Sequence, residues 1–194
     1  MLEPGGQKWY TKKKYEKNLF VFISGNIQKK GNNMAKSKEV KTNAMRILET
    51  KKIPYTAHTY ECEEFIDGIQ IADMLSLPHE KVYKTLVTQG NSKNYFVFVI
   101  PIAEELDMKK AAKSVGEKSV AMLHVKDINA VTGYIRGGCT AIGMKKQYVT
   151  RIDIAAKELS QIIVSGGKLG MQLELAPDDL ALASGAEFAD IIVR

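Results

Sequence analysis

Residues 81–101 constrain the fold more than any other stretch. Two apolar runs, KVYKTLVTQ and NYFVFVIP, flank a short connection through Gly90-Asn91. β-Branched and aromatic residues dominate both runs, and Gly-Asn favours the left-handed backbone of a tight turn. The pair therefore predicts an antiparallel hairpin. Alternate residues of a strand share a face, which puts Lys84 on the same side as Val82 and Leu86. Two readings of that lysine stand open. It is an edge-strand residue whose long stem reaches water, or it is a partly desolvated ammonium in a pocket. In the second case burial lowers it from an ordinary value of about 10.4 or the site holds it as a fixed cation, able to orient an ester carbonyl or a phosphate.

Short elements of both kinds surround the hairpin. Residues 42–51 place Ala44, Ile47 and Leu48 at helical spacing behind Thr42 or Asn43 as N-cap, and Ile53-Pro54 stops that helix. YTAHTYE (55–61) reads as a strand, and residues 67–77 read as a helix with Ile71, Met74 and Leu75 on one face. Asp107 caps a helix that ends at Gly116; SVAMLHV reads as a strand and KDINAV as a short helix. After a glycine-punctuated segment (132–146) come strands near 148–153, 161–165 and 171–175. A helix opening on Pro177 and a last strand, FADIIV, close the chain. Short strands mixed with short helices predict an α+β fold with a mixed, barrel-like sheet.

At 194 residues the chain suits one main domain. The formal charge of +6 is unevenly spread. Seven of the 28 basic and two of the 22 acidic residues fall in residues 1–33, leaving that leader at +5 and residues 34–194 at +1. The leader's apolar run, Leu19 to Ile23, is too short for a membrane span or a secretory h-region, so no membrane association is expected. Reverse-translated, Lys30-Gly31-Asn32-Asn33-Met34 gives a purine-rich A-A-R-G-G just before an ATG, the look of a bacterial ribosome-binding site. The expected division is a non-core leader at 1–33, a mis-set start or cloning remnant, and a single domain at 34–194. A genuine basic tail is the alternative. Two distant cysteines without a C-x-x-C or H-E-x-x-H motif exclude a disulfide scaffold and a structural zinc site, and suit the cytoplasm.

IRGGCTAIG (135–143) and SGGKLG (165–170) each present consecutive glycine amides, which serve either as tight turns or as anion-binding nests. Neither is a P-loop. His58, His79 and His124 have no obvious partner and read as structural. Cys62 and Cys139 are nucleophiles in principle, Cys139 beside Gly137-Gly138 the better one. There is no G-x-S-x-G elbow. Tyr60, on the strand with His58, reads as core or rim.

ILETKKIPYTAHTYE, LPHEKVYKTLV, LDMKKAAKSVG, VTGYIRGGCTAIGMKK and VSGGKLGMQLEL, in this order, resemble the YbaK family of freestanding aminoacyl-tRNA editing proteins. They are most similar to its Cys-tRNA(Pro)/Cys-tRNA(Cys) deacylase branch, over about residues 43–193. The resemblance implies that Lys84 is the key active-site residue, that Tyr60 lines the pocket and that Gly137 opens the backbone segment facing the substrate ester. Thr85, Gly138, Ser165, Gly166 and Gly167 complete the expected substrate-binding set. Two positions depart from the family pattern: Ala141 stands where G-x-x-x-P has its proline, and Gln172 replaces an aspartate found in some members. No cofactor or metal is implied.

The implied activity is removal of cysteine from mischarged tRNA, a second sieve where binding alone cannot reject a small amino acid. The family's proposed chemistry is substrate-assisted, the cysteine thiol attacking its own ester, which would explain why no protein nucleophile stands out. The near-neutral body suggests weak tRNA binding unaided, and the resemblance implies prolyl-tRNA synthetase as working partner. Ala-tRNA(Pro) deacylation on the same fold and a non-catalytic RNA- or protein-binding module are the rivals.

Overall fold

The computed structural model describes residues 20–23, 41–62 and 65–194, the first of these as backbone only. The expected division at residue 33 lies outside the described residues. Two sheets carry the fold. The two hairpin strands pair as predicted: β3 (Tyr83–Gly90) runs antiparallel to β4 (Tyr95–Pro101), Lys84 opposite Ile100. Gly90, however, belongs to the strand, and the left-handed residue of the connection is Lys93, not Gly90 or Asn91. Around it the first sheet runs in the order β5 (Val120–Met122), β3, β4, β6 (Val149–Asp153), β9 (Glu187–Ala189), with β4, β6 and β9 parallel. The second is antiparallel, in the order β1 (Phe20–Ile23), β2 (Thr56–Thr59), β8 (Met171–Leu175), β7 (Ile162–Ser165).

β4 shows why its sequence is continuously apolar. Val97 and Val99 face the larger core cluster while Phe96, Phe98 and Ile100 face a second one, so a central strand is buried on both sides. Leu48, Ile142, Ile152, Ile162 and Leu173 fill the larger cluster with no exposed surface. Each such side chain contributes about 1.5–3 kcal/mol by leaving water. The second cluster is closed by α3 (Met108–Ser114) through Ala111 and Ala112, small enough to let the helix lie close to Phe98 and Ile100.

Two helices start at their predicted caps, Thr42 and Asp107, and a third at Asp67, which was not anticipated. Thr42 Oγ1 accepts from Met45 N ahead of α1 (Asn43–Thr50), and Asp67 Oδ1 from Ile69 N ahead of α2 (Gly68–Met74). Asp107 accepts from the amides of Lys109 and Lys110. On α2 the expected inner face is only partly so, since Ile71 and Leu75 are buried but Met74 is 38% exposed. KDINAV becomes a 3-10 turn running into α4 (Ile128–Thr132), and α5 (Pro177–Ser184) opens on its proline. FADIIV is a strand only at its start, its end making a single bridge between Ile192 and Leu106.

The mixed α+β architecture agrees with the sequence, but the sheet does not close as a barrel. Among the described residues the two sheets stay open, and they meet at one parallel bridge, Val82 with Ile163. That meeting point matters, because the chain enters β3 there and Lys84 is two residues further on.

Candidate active site

A cavity of about 360 Å³ opens beside this junction, at the small end of the range for ligand pockets. Its wall is largely apolar, with Ile71, Val82, Leu86, Ile102 and Leu123 contributing. Into it β3 delivers Lys84, half-buried, whose Nζ donates to Ile102 O at 2.9 Å. Ile102 is itself tied back to the same strand, its N–H donating to Val82 O at 2.8 Å. An ammonium has three donors and one is used, so two remain for a ligand. Burial lowers the Lys84 pKa, and the carboxylates of Asp67, Glu105 and Glu104 oppose that shift in decreasing order. The edge-strand reading of Lys84 fails, because β3 lies between β5 and β4 in its sheet; the half-buried side chain lines a pocket, as the second reading has it.

The two glycine segments come together on the opposite wall. Gly137 has φ +81° and lies against Leu169 and Phe65, where a Cβ would come within 2.8 and 2.9 Å. At Gly138 a Cβ would sit 3.0 Å from Lys168 Cα, so one backbone packs directly on the other. Gly138 N–H donates to Ile135 O at 3.0 Å and is committed within the turn. Among the described residues Gly137 N–H has no backbone partner, and Gly137 lines the cavity. Ser165 Oγ reaches toward Gly137 O at 3.5 Å.

Of the residues expected at the site, Lys84, Thr85, Gly137 and Ser165 line the cavity. Tyr60, Gly138, Gly166 and Gly167 stand behind its wall. Gly166 N–H closes a turn to Met171 O, and Gly167, at φ +94°, packs against the Tyr134 ring. The Tyr60 hydroxyl is shielded from water and makes no hydrogen bond of normal geometry. Burial raises its pKa, and the nearby Gln172 side chain, which does line the cavity, holds part of that rise back. Tyr60 therefore backs a wall residue.

The loop that loses its expected proline at position 141 is braced by other means. Ala141 is buried in the main core, and the Tyr134 hydroxyl donates to Ile142 O at 2.7 Å. From α1, Asn43 Nδ2 donates to Gly143 O at 3.0 Å. Sequence reading also missed Arg136, whose guanidinium lies 4.1 Å from the Phe65 ring centroid at the mouth of the cavity. A charged residue directly before Gly137-Gly138 was the available signal; Phe65 offered none, since only the tertiary fold brings it there.

A nucleophile of the protein is not evident. The Cys139 thiol is buried and pushed up to about 12 by that burial, so at neutral pH roughly one in 10⁵ is thiolate. His58 is paired with Glu174 at 2.9 Å and His79 with Asp73 at 2.7 Å, and no histidine lines the cavity. Among the described residues no group of three or more His, Cys, Asp or Glu could hold a metal. No described helix is long and apolar enough to cross a membrane.

Residues 67–182, which carry all of the cavity lining except Phe65 and Ile66, match the family described as the aminoacyl-tRNA editing domain. The chain belongs to this family. Among its relatives is an Enterococcus faecalis protein, EbsC, described as a candidate Cys-tRNA(Pro)/Cys-tRNA(Cys) deacylase. It is 47% identical over 163 residues, 83% of this chain and 99% of that one. A proline--tRNA ligase of Fervidobacterium nodosum is 26% identical over 128 residues, 60% of this chain and 22% of the ligase. The fold also matches a crystal structure described as a candidate trans-editing enzyme for prolyl tRNA synthetase. That match has a TM-score of 0.68 and 18% identity, over 80% of this chain and all of the other.

Proposed function

We propose that this editing-domain protein is a trans-acting deacylase that removes cysteine from Cys-tRNA(Pro), and from Cys-tRNA(Cys), with the substrate's own thiol as nucleophile. The observation that carries the reading is the pairing of a small apolar cavity and a half-buried cation with a wall whose one cysteine is held as the neutral thiol and which has no histidine to activate the Thr85 or Ser165 hydroxyl. Such a site positions and stabilises; it does not attack. The family and the EbsC relative's description support the substrate class.

In this reading the aminoacyl ester of the tRNA's 3′ end enters the cavity. The cysteine Sγ attacks its own carbonyl carbon, forming a C–S bond as the ester C–O bond to the ribose breaks. The thiol proton ends on the released ribose hydroxyl, and the strained cyclic thioester is later opened by water. Lys84 uses its two free donors to hold the terminal ribose or phosphate in place, with Ile102 O fixing the third. Negative charge developing on the carbonyl oxygen faces the Gly137 N–H, the uncommitted amide of that turn. The apolar wall excludes water from the first step and strengthens both contacts.

Prolyl-tRNA synthetase is the partner that supplies tRNA selection, consistent with a body charge of +1 and with likeness to part of a proline--tRNA ligase. The reaction takes place in the cytoplasm and needs no cofactor. The test is a deacylation assay with Cys-tRNA(Pro) and Ala-tRNA(Pro) side by side. Fast release of cysteine with slow release of alanine is expected. Preference for Ala-tRNA(Pro) would instead assign a water-driven reaction, and release of neither would leave a binding module.

A further inference from the structure

A second, more polar groove of about 320 Å³ adjoins the cavity across the edge strand β5, sharing Met122 and Leu123 with it. We infer that this groove binds the single-stranded nucleotides preceding the terminal one of the tRNA acceptor end, which deepens the deacylase reading and rests on it. Continuity is the first ground: Met122 and Leu123 line both the cavity that holds Lys84 and the groove, so a strand whose 3′ terminus is at Lys84 can run from one into the other. Lys84 and Gln89 are five residues apart on β3, roughly 17 Å at strand spacing, so the groove is reached beyond the terminal residue.

Its chemistry is the second ground. Lys93 and His124 are exposed, and no described hydrogen bond or ion pair occupies the ammonium or the imidazole ring. Asp127, the groove's one carboxylate, is similarly uncommitted and suits the exocyclic amino group of a base such as cytosine. Gln89 donates to Lys93 O at 3.2 Å, leaving its carbonyl oxygen free, and Tyr95 adds aromatic surface. Cation, amide, aromatic and carboxylate together fit a nucleotide better than an apolar peptide segment.

Backbone strain is the third. Lys93 has φ +70° at the hairpin turn, a conformation that glycine or asparagine adopts at lower cost. The strained residue is one of those lining the groove.

The experiment compares two substrates, full Cys-tRNA(Pro) and the minimal ester 3′-O-cysteinyl-adenosine, for wild type and a Lys93→Gly/His124→Ala variant. Glycine suits the turn and both side chains are exposed, so the variant folds. Expected is about a tenfold fall in kcat/KM on the tRNA, within the span of single-base contacts, with cleavage of the small ester kept. The salt slope of tRNA binding should flatten by about 0.7 for each phosphate that the variant no longer neutralises. Equal falls on both substrates, or an unchanged rate on tRNA, would overturn the groove assignment while leaving the deacylase reading intact. Failure of wild type on both substrates would overturn the two together.

Discussion

Lys84 is a burden to the fold and, in the proposed mechanism, serves the ligand. Because burial lowers its pKa, the folded state disfavours the ammonium. That penalty is present at neutral pH and disappears as pH rises through the folded pKa toward the unfolded value of about 10.4. Lys84→Met, similar in length and uncharged, should therefore raise the melting temperature at pH 7, and the gain should shrink as pH approaches 10. A variant less stable than wild type at pH 7 would mean that the lysine serves the core. Lys84→Ala should lose roughly 100-fold or more in deacylation, the scale of removing one preorganised donor, with unchanged circular dichroism. Cys139 gives the opposite expectation. Its thiol is buried beside Val87 and Tyr134, so Cys139→Ser should lose some stability, about 1–2 kcal/mol for a less well-suited buried hydroxyl, yet retain most activity. An inactive but well-folded Cys139→Ser protein would restore a protein nucleophile.

At the level of elements, the site depends on two irregular segments held against each other, 135–143 and 165–170. Gly138 does not line the cavity, but a Cβ there would press on the Lys168 backbone at 3.0 Å. Gly138→Ala should push the segments apart by a few tenths of an ångström. It should lower both the melting temperature and kcat/KM, measured by thermal denaturation and single-turnover deacylation, whereas Gly116→Ala, at a helix end with open space around it, should lower stability alone. These segments also mark where the sequence was legible and where it was not. The paired hairpin strands, the caps at Thr42 and Asp107 and the Pro177 helix start are local signals and appear as read, whereas the Asp67 cap was missed. Lys84 was legible because alternation in β3 put a charge on an apolar face. The bracing of 135–143 from α1 by Asn43 and the Arg136–Phe65 stack depend on contacts far apart in sequence, which no local pattern encodes. Pairs of glycines looked like ligand cradles, yet Gly138, Gly166 and Gly167 chiefly serve close packing, and sequence alone cannot separate the two uses.

Across the whole molecule, charge and topology share the task of recognition. Residues 34–194 carry a net charge of only +1, so tRNA affinity of that body should be weak and its salt slope should correspond to a few neutralised phosphates. Adding prolyl-tRNA synthetase should raise deacylation at low enzyme concentration, because linked binding raises the effective concentration of the acceptor end. A steep salt slope without a synthetase effect would reveal a tRNA-binding face of the body itself. The open junction of two sheets, where β3 leaves the Val82–Ile163 bridge, supplies a cavity that, in the proposed reading, holds and orients but does not attack. That leaves the nucleophile to the substrate, and one comparison tests it most directly: the single-turnover rate on Cys-tRNA(Pro) against Ser-tRNA(Pro), which differ by sulfur against oxygen. The account predicts rapid release of cysteine and release of serine near the uncatalysed rate. Comparable rates on both would contradict it, since a water or protein nucleophile would then be performing the attack.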